Sequence, residues 1–566
     1  MRVLDMYFKK SNLAIFSIVF SSILLSACGD NLLPNSNMSK EDAYSEIKKL
    51  EKSVNPSYRE NNVRANIKLS KTNLLSMLPN LDDYPIQGNQ RDSSTVEVVE
   101  IFTSSEKGGT DRDGLFVDMA ENFNRMGQKT SNGKQAYIAI RKIASGLGAQ
   151  FIISQNYVPD AFSPSNNLWG EMLNANGVKT ETIAEATAKN TAGIVVKKSK
   201  MDMITENGKL DMSKLLTVVS SGDFAMGYTN PYQSSTGLNF LITVLNAFSD
   251  GDESQMLSPD VASSFETFQG GVPYVAQTTL QMRDETGNSG VLDGYVMEKQ
   301  SYINLKGMND YQFIPFGVRH DSPLYATPEA DESEREVLKL FAQFLETQNK
   351  QLKNYGFDQT PEYKSAYQIK DNNIIGEAQK LWKQRKSGGK PIAAIFVADV
   401  SGSMEGIRIK NLKRALIDSS DLISSKNAIG LITYNDRVNV DLSIRPYNVQ
   451  QKSLFIGAVE RLSAGGKTAT IDATVTAMSE LIKFDEKNPG YKKIIFVLSD
   501  GERTAGLDYD KVKEAFEWSA IPIHTIAYEL DSPEMKAMSG LAEGAYIKST
   551  SSSASYRIGN LLNSEM

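Results

Sequence analysis

Residues 391–404 read Pro-Ile-Ala-Ala-Ile-Phe-Val-Ala-Asp-Val-Ser-Gly-Ser-Met. An apolar run from 392 to 398 ends in Asp399, Ser401 and Ser403, three oxygen-bearing side chains within five residues. Buried strands of parallel sheets read as such runs, and ligand sites of α/β sheets lie beyond the carboxyl ends of their strands. Hard oxygen donors packed at that point suit a small divalent cation, although Ser, Gly and Asp also make ordinary turns. Two later loops add the same chemistry. Gly465-Gly-Lys-Thr468 precedes a helix-like segment, and Leu498-Ser-Asp500-Gly ends another apolar run. Asp399, Ser401, Ser403, Thr468 and Asp500 therefore form a candidate set of hydroxyls and carboxylates with no softer donor among them.

Catalytic readings of the same residues fare worse, and the chain is expected not to be an enzyme. A Ser–His–Asp arrangement needs an imidazole, and the only two histidines, His320 and His524, stand far from these serines in sequence. His524 lies in an apolar run, residues 521–527, and reads as a strand or core residue. Gly465-Gly-Lys-Thr468 brushes the phosphate-loop pattern, but positions 460 and 461 are Glu and Arg, and a helix-like segment precedes it where a strand is required. With 566 residues, 40% hydrophobic and 23% charged, the chain is globular and long enough for two to four domains. Its net charge of −7, with no cluster of Lys and Arg, argues against nucleic acid as a partner.

The elements around the three loops alternate. Strands are expected at 392–397, 428–433, 438–444, 493–498 and 521–528, and helices at 409–425, 450–462, 471–483, 509–519 and 532–542. Leu412, Ala415, Leu416 and Ile423 give the first of these helices an apolar face. Such alternation predicts a parallel sheet covered by helices on both sides, with 438–444 as an antiparallel edge strand.

Asp-x-Ser-x-Ser, Gly-Gly-x-Thr and Leu-x-Asp-Gly, in this order on this pattern, resemble the von Willebrand factor A (VWA) domain and its metal-ion-dependent adhesion site, over roughly residues 391–548. The resemblance implies a doubly wound, Rossmann-like α/β fold holding Mg²⁺, or Mn²⁺ or Ca²⁺. Ser401 and Ser403 would bind through their hydroxyls, Thr468 directly or through water, and Asp399 and Asp500 mostly through water. One coordination position is then left for an acidic residue of a partner protein. Met404-Glu-Gly406 lacks the adjacent pair of acids that builds a second metal site in the integrin type.

Residues 1–27 have a basic start and an apolar stretch, 13–25, laid out as a secretory signal. Leu25-Ser-Ala-Cys28 resembles the lipobox of bacterial lipoproteins, which implies acylation of Cys28, the only cysteine, and attachment to a membrane. The expected location is the cell envelope: the outer membrane or periplasm-facing side in a double-membrane bacterium, otherwise the outer face of the cytoplasmic membrane. A mature chain of this kind contains no disulfide. Residues 28–94, polar apart from a helix-like piece at 40–54, are expected to be a tether.

From Val96 onward the pattern is strand, Ser/Gly loop, helix, an arrangement that presents backbone N–H groups and hydroxyls to an anion. Asn230-Pro-Tyr-Gln-Ser-Ser-Thr-Gly237, with Tyr157-Val-Pro-Asp160 and Asp293-Gly-Tyr295, resembles the extracellular solute-binding proteins that capture molybdate, sulfate and phosphate. That resemblance spans roughly 95–350 within an expected domain at 95–383, and implies a two-lobed periplasmic-binding-protein-like (class II) fold. Ser104, Ser105, Ser145, Ser235 and Thr236 are the candidate contacts for a small solute or oxyanion. The same residues equally serve as caps and turns in a fold that binds none. Residues 332–383 look helical, 384–390 form a linker, and 549–566 a serine-rich tail. Two functions are left in view. One is metal-dependent recognition of, or adhesion to, an envelope or extracellular protein; the other is delivery of a solute to an ABC-type transporter.

Overall fold

The computed structural model describes residues 38–67, 78–88, 92–286, 292–528, 531–541, 544–549 and 553–565. Cys28 and the expected signal segment lie outside them. Among the described residues no helix is long and apolar enough to cross a membrane.

The carboxyl-terminal half is organised by a seven-stranded sheet. Its centre is Ile392–Asp399, flanked by Ala428–Tyr434 on one side and Lys492–Ser499 on the other, all parallel. Ile523–Tyr528 and Tyr546–Ser549 extend it in the same sense. All eight residues of the central strand are buried, which is why its sequence shows a continuous apolar run and not an alternating one. Val438–Pro446 runs antiparallel to Ala428–Tyr434, as its closeness in sequence predicts.

The middle of the chain forms two lobes, each around its own sheet. The first sheet has six strands, with Val96–Thr103 between Gln135–Lys142 and Ala161–Ser163. The second has five, with Gly294–Glu298 between Met226–Thr229 and Thr191–Lys197. The chain passes from first to second sheet between Ala184 and Thr191 and returns between Arg319 and Leu324, so two crossings join the lobes. Sequence alone expects one helical stretch over 332–383. The structure breaks it into Glu332–Glu346, Asn349–Asn354 and Asn373–Arg385, because residues 355–372 make turns and loops around Pro361.

Two segments expected to be loose are packed. Within the expected tether, Lys40–Val54 is a helix with a capping box at Ser39, and it buries Ala43, Ile47 and Glu51 at fourfold spacing. That face lies against the helices Thr470–Lys487 and Lys513–Ser519. Ser57–Tyr58 then pairs with Val438–Pro446, so the antiparallel strand is not the edge of the sheet. Glu51 accepts bonds from Ser479 Oγ and Lys483 Nζ, both at 2.7 Å, and from Tyr58 Oη at 3.1 Å. Residues 549–566, read as a tail, contain the helix Ala554–Glu565, which lies on Ile407–Ser419 with Ile558, Leu561 and Leu562 in the carboxyl-terminal core. Serine-rich sequence at 549–555 hides a three-and-four spacing that is itself helical.

Gly457, on the helix Val449–Glu460, marks how close the amino-terminal segment comes: a β-carbon there would lie 2.2 Å from the Val63 carbonyl oxygen. Gly457→Ala should therefore loosen residues 59–65, seen as faster amide exchange and proteolysis in that segment. Unchanged protection would show that the contact does not form. Glu51→Ala removes the acceptor for Ser479 and Lys483 and should cost the carboxyl-terminal domain about 1–3 kcal/mol in denaturant titration.

Candidate metal centre and interlobe cleft

Strands Ile392–Asp399 and Lys492–Ser499 pair in register up to Ala398 and Leu498, so their ends deliver Asp399 and Asp500 to one spot. Immediately after the first strand Ser401 begins a short turn of 3-10 helix, Gly402–Met404. The Ser401 N–H donates to Asp399 Oδ1 at 2.7 Å, and Ser499 Oγ donates to Asp399 Oδ2. Ser401 Oγ and Ser403 Oγ are 3.0 Å apart, and Ser403 Oγ donates to Asp500 Oδ1 at 2.7 Å.

The threonine loop is tied in by its backbone. Gly402 N–H donates to the Gly466 carbonyl at 3.0 Å, and Gly465 N–H to the Val400 carbonyl at 2.8 Å. Gly466 has φ +90°, and a β-carbon there would lie 2.4 Å from Asp436 Oδ1, so the loop requires glycine. Thr468 follows, 5% exposed. Its backbone N–H donates to Thr504 Oγ1 at 3.0 Å, while its own hydroxyl makes no hydrogen bond among the described residues. The five residues singled out from sequence thus stand at a strand end and on three loops, each bonded to the others, at one edge of the sheet.

Their donor set fits a hard cation: two carboxylates and three hydroxyls. Burial pushes the Asp399 carboxyl above its ordinary range, bonds from Ser401 and Ser499 pull it back, and the nearby Asp500 charge adds to the rise. Arg408, on the helix Ile407–Ser419, was not foreseen. Its Nη1 donates to Asp500 Oδ2 at 2.8 Å and to the Ser403 carbonyl at 3.0 Å, which places a fixed positive charge at the rim. Ile407 beside it is 63% exposed, so the rim carries an aliphatic surface next to a cation. Sequence offered only a weak signal for either residue, since one Arg in a helix is ordinarily solvated.

The middle domain's candidates divide. Ser105, Ser145 and Ser235 line one cavity between the lobes. Thr236 lies beside it, bonded to Thr279 Oγ1 at 3.1 Å and donating to Glu298 Oε1 at 3.4 Å. Ser104 is buried next to it but does not line it. Ser235 Oγ accepts from Trp169 Nε1 at 2.8 Å. The cavity also contains Glu106 and Glu298, which sequence reasoning passed over. Burial, then the Glu298 charge, raises the Glu106 carboxyl above its ordinary range. Lys107, fully buried, is lowered to about 8 by burial, with the charges of Glu106 and Glu298 opposing that shift.

A third group of acids, Asp92, Glu97 and Glu334, lies close together but is otherwise engaged. Glu97 pairs with Lys134 Nζ at 2.9 Å, and Glu334 accepts the Asp331 N–H of its own helix cap. His524 is a strand residue stacked on Phe496, and His320 is bonded to Glu298 across the second crossing.

Residues 395–560 match the von Willebrand factor type A domain, a span that takes in most of the segment read as a tail. A human protein, voltage-dependent calcium channel subunit alpha-2/delta-4, is 28% identical over 145 residues, 24% of this chain and 12% of the relative. The chain therefore spans only a small part of that relative's length. Among solved structures, a von Willebrand factor type A protein from Catenulispora acidiphila shares 16% identity, with TM-score 0.29, over 31% of this chain and 42% of that one. The sulfate-binding protein SubI from Mycobacterium tuberculosis H37Rv shares 14% identity, with TM-score 0.33, over 46% of this chain and 86% of that one. The family match thus falls on residues 395–560, the part of the chain that carries Asp399, Ser401, Ser403, Thr468 and Asp500.

Proposed function

We propose that this chain is an envelope lipoprotein, acylated at Cys28, that recognises a partner protein through a divalent cation held by Asp399, Ser401, Ser403, Thr468 and Asp500. The observation that carries this reading is the convergence of those five oxygen side chains on loops bonded to one another at the carboxyl edge of the sheet. A bound cation of the Mg²⁺, Mn²⁺ or Ca²⁺ type would supply an electrophilic centre for a partner's carboxylate. This chain's own residues supply the rest. Asp399 is buried and held by Ser401 and Ser499, so it gives a fixed counter-charge. Arg408 adds a second positive charge at the rim, suited to the same carboxylate. The proposed role is recognition without a catalytic step.

A second reading has its own support. Two lobes joined by two crossings, with a small cavity between them, would suit a receptor serving an ABC-type transporter. In that case the von Willebrand factor type A domain would dock the receptor to its neighbours.

Affinity capture from membranes should recover a partner with Mg²⁺ present and lose it in EDTA, and Asp399→Ala should lose it in both. Equal recovery in EDTA removes the metal-bridged reading. Arg408→Ala separates two roles of one charge. Without the nearby cation, metal affinity measured by calorimetry should rise about threefold to tenfold, while partner capture weakens. A variant in which both are unchanged would place Arg408 outside the site.

A further inference from the structure

The cavity between the lobes is small, about 30 Å³, on the scale of one or two water molecules. The lobes touch around it. Gly146 N–H donates to the Gln233 carbonyl at 3.2 Å, and a β-carbon on Gly146 would lie 2.0 Å from the Tyr232 carbonyl oxygen. Among the described residues no Lys or Arg lines the cavity, whereas Glu106 and Glu298 both do.

The charges around it can be followed group by group. Lys107 turns its ammonium away, donating to the Ser163 carbonyl at 3.0 Å, Ser163 Oγ at 3.3 Å and the Pro164 carbonyl at 3.2 Å. Asn239 Oδ1 accepts the Val318 N–H at 2.9 Å, which fixes that amide, and its Nδ2 then faces His320 Nε2 at 3.0 Å. Nε2 is therefore an acceptor, and the ring proton on Nδ1 donates to Glu298 Oε1 at 2.8 Å. The lining thus carries two acidic side chains and no basic one, an arrangement that disfavours an oxyanion. Independently, Ser145 is 4% exposed and lines the cavity, and its hydroxyl makes no hydrogen bond among the described residues. The lining offers carboxylate and hydroxyl oxygens, the donors that Ca²⁺, Mg²⁺ and Mn²⁺ take.

We propose that the interlobe cavity binds a hard divalent cation between Glu106 and Glu298, with Ser145 as an additional oxygen donor. The oxyanion expected from sequence is then the wrong class of ligand for this cleft. This site stands on residues of the middle domain alone and is separate from the one at Asp399.

The test uses the full chain with Asp399→Ala and Asp500→Ala, so that the other candidate site is silenced. Calorimetric titration with Ca²⁺, Mn²⁺ and Mg²⁺ should still show one bound equivalent for at least one of these ions. Adding Glu106→Gln, which keeps shape and removes charge, should weaken that binding about tenfold or more, and Ser145→Ala should weaken it by a smaller factor. Glu298→Gln is less decisive because Glu298 also holds His320 and Asn190, so Glu106→Gln and Ser145→Ala carry the result. Absence of a divalent-binding equivalent in the silenced background overturns the proposal. So does binding of inorganic sulfate, phosphate or molybdate with Glu106 and Glu298 intact. Partner capture that persists in the silenced background would count against the Asp399 site alone and leave this one standing.

Discussion

The central strand pair, Ile392–Asp399 with Lys492–Ser499, sets the constraint on which the carboxyl-terminal domain depends. Because the two run parallel and in register, both chains leave the sheet at the same edge, and each leaves it on an acid. Burying two carboxylates side by side is unfavourable unless hydrogen bonds or a cation answer them. Here every neighbouring loop is recruited to do so. Ser401 and Ser499 bond Asp399, Ser403 and Arg408 bond Asp500, and the glycine loop before Thr468 is fastened to the first loop through its backbone. Mutual repulsion between the acids explains why this edge of the sheet is dense in polar bonds, while its middle is wholly apolar.

The same domain is closed by segments from both ends of the described chain. The helix Lys40–Val54 covers one side and Ala554–Glu565 packs on Ile407–Ser419, the helix that carries Arg408. Tyr556 of that last helix reaches the middle domain, where its hydroxyl accepts from Gln233 Nε2 at 3.0 Å and donates to Gln150 Oε1 at 3.1 Å. Gln233 lines the interlobe cavity. One helix therefore touches both the element beside the candidate metal centre and the wall of the cleft, so the two domains share a physical contact.

The interlobe cavity shows how the same loop residues can present opposite chemistry. Serines after a strand are suited to an anion when backbone N–H groups alone surround them. With Glu106 following Ser104 and Ser105 directly, and Glu298 arriving from the other lobe, the hydroxyls instead become donors in an oxygen-rich, negatively charged space.

Sequence by itself determined the alternation of strands and helices in the carboxyl-terminal half and the five oxygen residues at its loops. Both are local: a fully buried strand needs an apolar run, and a loop at its end shows its polar residues at once. It also brought Ser105, Ser145 and Ser235 forward, which do share one cavity. Tertiary structure alone decided what those elements meet. The 40–54 helix read as part of a tether because periodicity reports which face is buried and not against what, and its partners lie in helices near the other end of the chain. The last helix was hidden by a serine-rich approach, and its role emerges only where Leu561 and Leu562 enter one core and Tyr556 another. Glu298 and Arg408 gained their meaning the same way. A charged residue read alone is a solvated face, and only the fold, by bringing distant segments within a few ångströms, gives its charge a target.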